Sequence, residues 1–222
     1  MGKSGDPDHH ERLSLGFLIF FGIAWGVWEV VLAGTFKTTI SRPLLGAILA
    51  GTAFFFLSAA AHSGQPRHAL LLMFPLAGVT RLAAATWVTG GEIPASISGP
   101  LAAYLMQILV FLGLLTLFAD RIGLSETGAL KVGAAAGLIA AWLYPVFSAV
   151  MGHSACCIAG TSLPASIAYT PFTVPAAALS CRLGREIGLR LPRTQGHSRT
   201  NMQPDPGEFS RRGFFPALRS KQ

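Results

Sequence analysis

Read for polarity alone, the chain is a series of six long apolar runs separated by short polar breaks. The runs are Leu13–Thr35, Pro43–Ala61, Ala69–Thr89, Ile97–Phe118, Leu130–Met151 and Pro164–Leu183. Each is close to the roughly 20 residues that a helix needs to cross a bilayer core. Short connections predict that sequential helices are antiparallel neighbours. The pattern therefore predicts an all-α integral membrane protein, a compact bundle of six transmembrane helices. It divides the chain into a short N-terminal segment (1–12), a transmembrane domain (13–190) and a basic tail (191–222) whose Pro, Gly, Ser and Arg content reads as disordered.

Composition agrees with this division. Of the 222 residues, 51% are hydrophobic and only 12% charged, against about 25% charged in soluble domains. The mean hydropathy is +0.52. The first apolar run is too long for the core of a signal peptide and has no small-residue cleavage site after it, so it reads as a retained helix. Lys and Arg are unevenly placed. Lys3, Arg12, Arg67, Arg121, Lys131, Arg182, Arg185 and Arg190 fall on one side of the bundle, and only Lys37 and Arg42 on the other. The positive-inside rule then places both termini in the cytoplasm of a multi-pass inner-membrane protein. The basic tail suits contact with anionic lipid at that face. Nucleic acid is excluded as a partner because the rest of the chain lies in the bilayer.

Polar residues inside the runs fall at one depth. A rise of 1.5 Å per residue puts Glu29 about 9 Å, Arg81 about 12 Å and Gln107 about 15 Å below the outer surface. Trp142, Tyr144, Tyr169, Thr170 and Thr173 fall at about 8 to 14 Å on the same count. Glu29 shares its helical stripe with Gly22, Gly26 and Ala33. Arg81 has Ala77, Gly78, Ala84 and Ala85 around it. Small neighbours mark the packed side of a membrane helix, so both charges are expected to point inward. Two readings follow. Glu29 and Arg81 form a structural ion pair between the first and third helices, as buried charges generally do. Alternatively, they meet a polar ligand in an outward-opening pocket walled by Trp25, Trp28, Gln107, Trp142, Tyr144, Tyr169 and Thr170. Trp87 reads as an interfacial anchor. Pro75 and Pro145 are expected to interrupt the third and fifth helices. Pro164, Pro171 and Pro175 are expected to do so in the sixth, freeing carbonyls as binding cavities of transporters do.

Other chemistry is thinly represented. His153, Cys156 and Cys157 in the fifth loop are the only local metal-ligating group, and a loop disulfide or packed thiols suits the two adjacent cysteines better. No cofactor is implied. The chain lacks a GxxxxGKS phosphate loop, HExxH and GxSxG. This removes the usual ATPase, metalloprotease and hydrolase readings. An intramembrane enzyme, or a small assembly or structural protein, stays open as an alternative class.

The pattern "WGVWEVVLAG" followed by "RPLLGAILAGTAFFFLSAAA", with six helices and both termini inside, resembles the substrate-binding S component of energy-coupling factor transporters. The resemblance covers about residues 13 to 190. It implies capture of a vitamin-like small molecule or metal ion from the outer side. It also implies docking on a transmembrane coupling protein with two ATPase subunits. The metal-binding branch uses an extreme N-terminal histidine, which Met1-Gly2-Lys3 lacks.

Overall fold

The computed structural model describes residues 7–36, 38–88, 90, 98–122, 125–150 and 163–191. The basic tail beyond these, and the loop bearing His153, Cys156 and Cys157, lie outside the described residues. The described residues form no strand. The elements are α1 (Pro7–Phe36), α2 (Arg42–His62), a 3-10 helix (Arg67–Leu72), α3 (Met73–Val88), α4 (Ser98–Ile122), α5 (Glu126–Val150) and α6 (Leu163–Arg190).

Local chemistry sets several of these limits. Pro43 occupies the first turn of α2, where its missing N–H costs nothing. Gly64, with φ +92°, follows the end of α2 and takes the left-handed conformation that turns the chain. Helix α5 starts four residues before its apolar run, because Ser125 Oγ accepts from the Gly128 N–H at 3.1 Å and caps the first turn. Hydrophobicity alone could not see that cap. Pro75 does not interrupt α3: a 3-10 segment comes first, and Pro75 falls in the opening turn of the α-helix. Helix α5 runs on through Pro145, and α6 runs through Pro171 and Pro175 without a break in its assignment.

Five helical segments are long and apolar enough to cross a membrane: Leu15–Phe36, Leu44–His62, Arg67–Trp87, Gly99–Phe118 and Glu126–Tyr144. Large apolar side chains stand exposed on their outer faces, among them Phe20, Val31, Val79, Leu109, Leu117 and Val146. In water such a surface would far exceed the apolar patches that soluble monomers tolerate. The chain has the build of a multi-pass membrane protein.

Neighbours are not simply sequential. Helix α2 makes its most extensive contact with α6, and α1 packs more on α3 than on α2. Around the bundle the order is α3, α1, α2, α6, α5, α4, with α4 closing back on α3. Glycine makes the tightest crossings possible. A Cβ at Gly26 would strike the Ala77 carbonyl of α3. Cβ atoms at Gly184 and Gly188 would strike the Phe55 and Ala59 carbonyls of α2, and one at Gly133 the Ala177 carbonyl of α6. This is the small-residue packing of membrane helices. Gly184 and Gly188 lie in the part of α6 that runs past its apolar stretch to Arg190, and at the end of that stretch Arg182 pairs with Glu126 at the start of α5. The core holds Trp25, Phe54, Met73, Tyr104 and Phe111, all essentially inaccessible.

Candidate functional site

Helix α1 carries Trp25 and Glu29 one turn apart. Trp25 Nε1 donates to Glu29 Oε1 at 2.9 Å, so the carboxylate is held by its own helix before any other element contributes. Close α1–α3 packing over Gly22 and Gly26 then brings Arg81 within reach. Arg81 Nη1 donates to Glu29 Oε2 at 2.5 Å. The same nitrogen donates to the Tyr104 hydroxyl of α4 at 3.0 Å, and that hydroxyl also interacts with the Glu29 carboxylate. The Tyr104 ring lies 4.7 Å from Trp25, centroid to centroid, and 5.6 Å from the Arg81 guanidinium carbon. Three helices are thereby tied by one network. Each Glu29 oxygen has a donor, which is what a carboxylate needs to stay in an apolar interior.

Beside this network lies a partly enclosed cavity of about 250 Å³. Every helix lines it. Glu29 and Arg81 come from α1 and α3, and Pro100, Ala103, Met106 and Gln107 from α4. Helix α2 contributes Ala47, Leu49 and Ala50, α5 contributes Ala140, Ala141 and Tyr144, and α6 contributes Tyr169 and Thr173. These residues lie late in α1, α3 and α5 and early in α2, α4 and α6. The helices therefore alternate in direction, and the cavity sits toward one end of the bundle. That end carries the polar layer read from the sequence.

Gln107 is the cavity's unusual member. It is 7% exposed, and its Oε1 is buried with no hydrogen-bond partner. No other side-chain nitrogen or oxygen among the described residues shares that condition. An unpaired buried carbonyl costs about 1–3 kcal/mol. Arg81 is also unfinished. Its Nη1 serves both Glu29 and Tyr104, whereas its Nε and Nη2 make no hydrogen bond among the described residues. Thr173 is satisfied within its helix, its hydroxyl donating to the Tyr169 carbonyl at 3.0 Å.

The structure brings together Glu29, Arg81, Gln107, Tyr144 and Tyr169 of the residues expected from sequence. Trp25 is adjacent but stands behind the carboxylate, fully buried, rather than on the cavity wall. Trp28, Trp142 and Thr170 are corrections. Trp28 is 51% exposed and faces an outer groove with Ile48, Phe55 and Ala176. Trp142 is 52% exposed and donates to Thr170 Oγ1 at 3.3 Å in a second outer groove. Depth is the same for both faces of a helix, so counting residues could not separate wall from exterior. The missed residue is Tyr104. It lies three residues before Gln107, on the neighbouring stripe of α4, and that spacing was the available signal. Trp87 is 86% exposed, as an interfacial anchor requires.

Among the described residues, no three His, Cys, Asp or Glu side chains gather as a metal site. No protein-family model, curated protein or solved structure matches the chain.

Proposed function

We propose that this chain is a membrane-embedded substrate-capture subunit, taking up a small, vitamin-like molecule from the outer side of the cell membrane. The observation that carries the reading is the cavity itself. All six helices line it, and it holds polar side chains, Gln107 and Arg81 among them, whose hydrogen bonding is incomplete among the described residues. Convergent polar groups in an otherwise apolar hollow are the usual form of a small-molecule site. The reading takes α6 as a sixth span and both termini as cytoplasmic, following the charge bias of the connections. The cavity end then opens outward. The chain would work with a transmembrane coupling protein and two ATPase subunits, since it has no phosphate loop of its own.

The Glu29–Arg81 pair serves this site as a wall rather than as the ligand's only anchor. Both Glu29 oxygens have donors, from α1 and α3, which favours a structural part for Glu29. Native mass spectrometry of the full chain, purified from its own membranes, tests the proposal. Wild-type protein is expected to carry a retained molecule of a few hundred daltons at most. Ala103→Phe, which fills the cavity from α4, is expected to lose it while unfolding at a similar temperature. A chain that retains nothing and co-purifies with no ATPase removes the capture reading. Turnover of a substrate by the purified chain would replace it with an intramembrane enzyme.

A further inference from the structure

We infer that the cavity selects an uncharged molecule bearing one hydrogen-bond donor and one carbonyl-type acceptor on a compact apolar body, in chemical class a lactam, amide or cyclic urea. The inference rests on the capture reading and names its ligand class. Three observations combine. The first is Gln107, a buried amide on the cavity wall whose Oε1 has no partner. The amide accepts at its oxygen and donates at Nε2, which makes no hydrogen bond among the described residues either, so its complement carries both an N–H or O–H and an acceptor. The second is Arg81, whose Nη1 is engaged while Nε and Nη2 make no hydrogen bond among the described residues. A guanidinium only donates, so its complement on the ligand is an acceptor.

The third observation is charge. Among the described residues, Glu29 and Arg81 are the only acidic and basic side chains on the wall, and they neutralise each other. The remaining wall is largely apolar, with Leu49, Ala50, Met106 and Ala140 among its residues. A ligand with a net charge would leave that charge uncompensated in a low-dielectric hollow, which is strongly disfavoured. A free carboxylate on Arg81 would also compete with Glu29 for the same guanidinium. Size adds a limit. The cavity, about 250 Å³, is smaller than the roughly 300–1,000 Å³ of drug-sized sites, so the recognised body is about one ring.

The test uses the full chain in lipid nanodiscs and three ring probes of similar size: ε-caprolactam, cyclohexanecarboxylate and cyclohexylammonium. Equilibrium dialysis reads their dissociation constants. Caprolactam is expected to bind at least ten-fold more tightly than either ion. Gln107→Leu is expected to weaken caprolactam at least ten-fold while melting no lower than wild type, because the unpaired carbonyl is gone. An ion that binds as tightly as caprolactam overturns the inference, as does unchanged caprolactam binding by Gln107→Leu. So does the failure of all three probes to bind. The capture reading has a separate readout, the retained molecule: a retained ion overturns the ligand class and leaves capture standing.

Discussion

Arg81 spends one nitrogen on two partners, and this defines the energetics around a single residue. Removing its charge alone would leave Glu29 buried with only the Trp25 and Tyr104 contacts. Breaking one side of a buried pair costs about 3–5 kcal/mol, whereas removing both sides is far milder. Arg81→Met is therefore expected to destabilise the chain by about that amount. The double variant Glu29→Gln with Arg81→Met should recover much of it. Chemical denaturation in detergent, arranged as a double-mutant cycle, reads the coupling. A double-variant loss equal to the sum of the two single losses would mean that the pair contributes nothing by its pairing. Gln107 is the opposite case, a polar group whose removal should not harm folding. Stability given up at one position is a common signature of a site.

Among the elements, glycine decides which helices touch. Gly26 lies against the Ala77 carbonyl, and Gly184 and Gly188 lie against carbonyls of α2. Even a methyl group there forces the backbones apart. Gly26→Ala and Gly188→Ala are each expected to cost about 1–3 kcal/mol, the usual penalty of overpacking. A methyl group at Gly16 would meet no other atom within 4 Å, so Gly16→Ala is expected to be neutral or slightly stabilising through helix propensity. Thermal unfolding of the three variants side by side checks this. Loss at Gly16 equal to that at Gly26 would contradict the close-packing account. The Gly26 variant carries a second consequence, because α1–α3 separation moves Glu29 away from Arg81. It should weaken ligand retention as well as stability.

Taken as a whole molecule, the bundle has two unlike ends. One holds the cavity and the polar layer. The other carries Arg67, Lys131, Arg182, Arg185 and Arg190. In the proposed orientation the basic end faces the cytoplasm. Single cysteines at exposed Thr38 and Arg67 test it, in a background with the native cysteines replaced by serine. A membrane-impermeant maleimide applied to intact cells should label Thr38→Cys and spare Arg67→Cys until the membrane is opened. The reverse pattern would turn the cavity inward and exclude capture from outside. The tight α2–α6 contact gives a related expectation for folding. Because α2 meets α6 only after the last helix is made, the bundle completes late, and truncation before Leu163 should leave α2 without its main partner.

Hydrophobic length and helical rise made the helical segments and the depth of the polar groups legible in the sequence. A run of apolar residues sets where a helix lies, and its constant rise converts position into depth. Composition along each helix also marked Glu29 and Arg81 as inward, since small residues flank the side of a membrane helix that packs. Which helices adjoin was not legible, because close packing is settled by glycine meeting carbonyl across elements far apart in the chain. Only the assembled bundle turned Trp28 and Trp142 outward and joined Tyr104 to the ion pair. A residue's depth is a property of its own helix, but the direction it faces becomes a wall only when five other helices have taken their places around it.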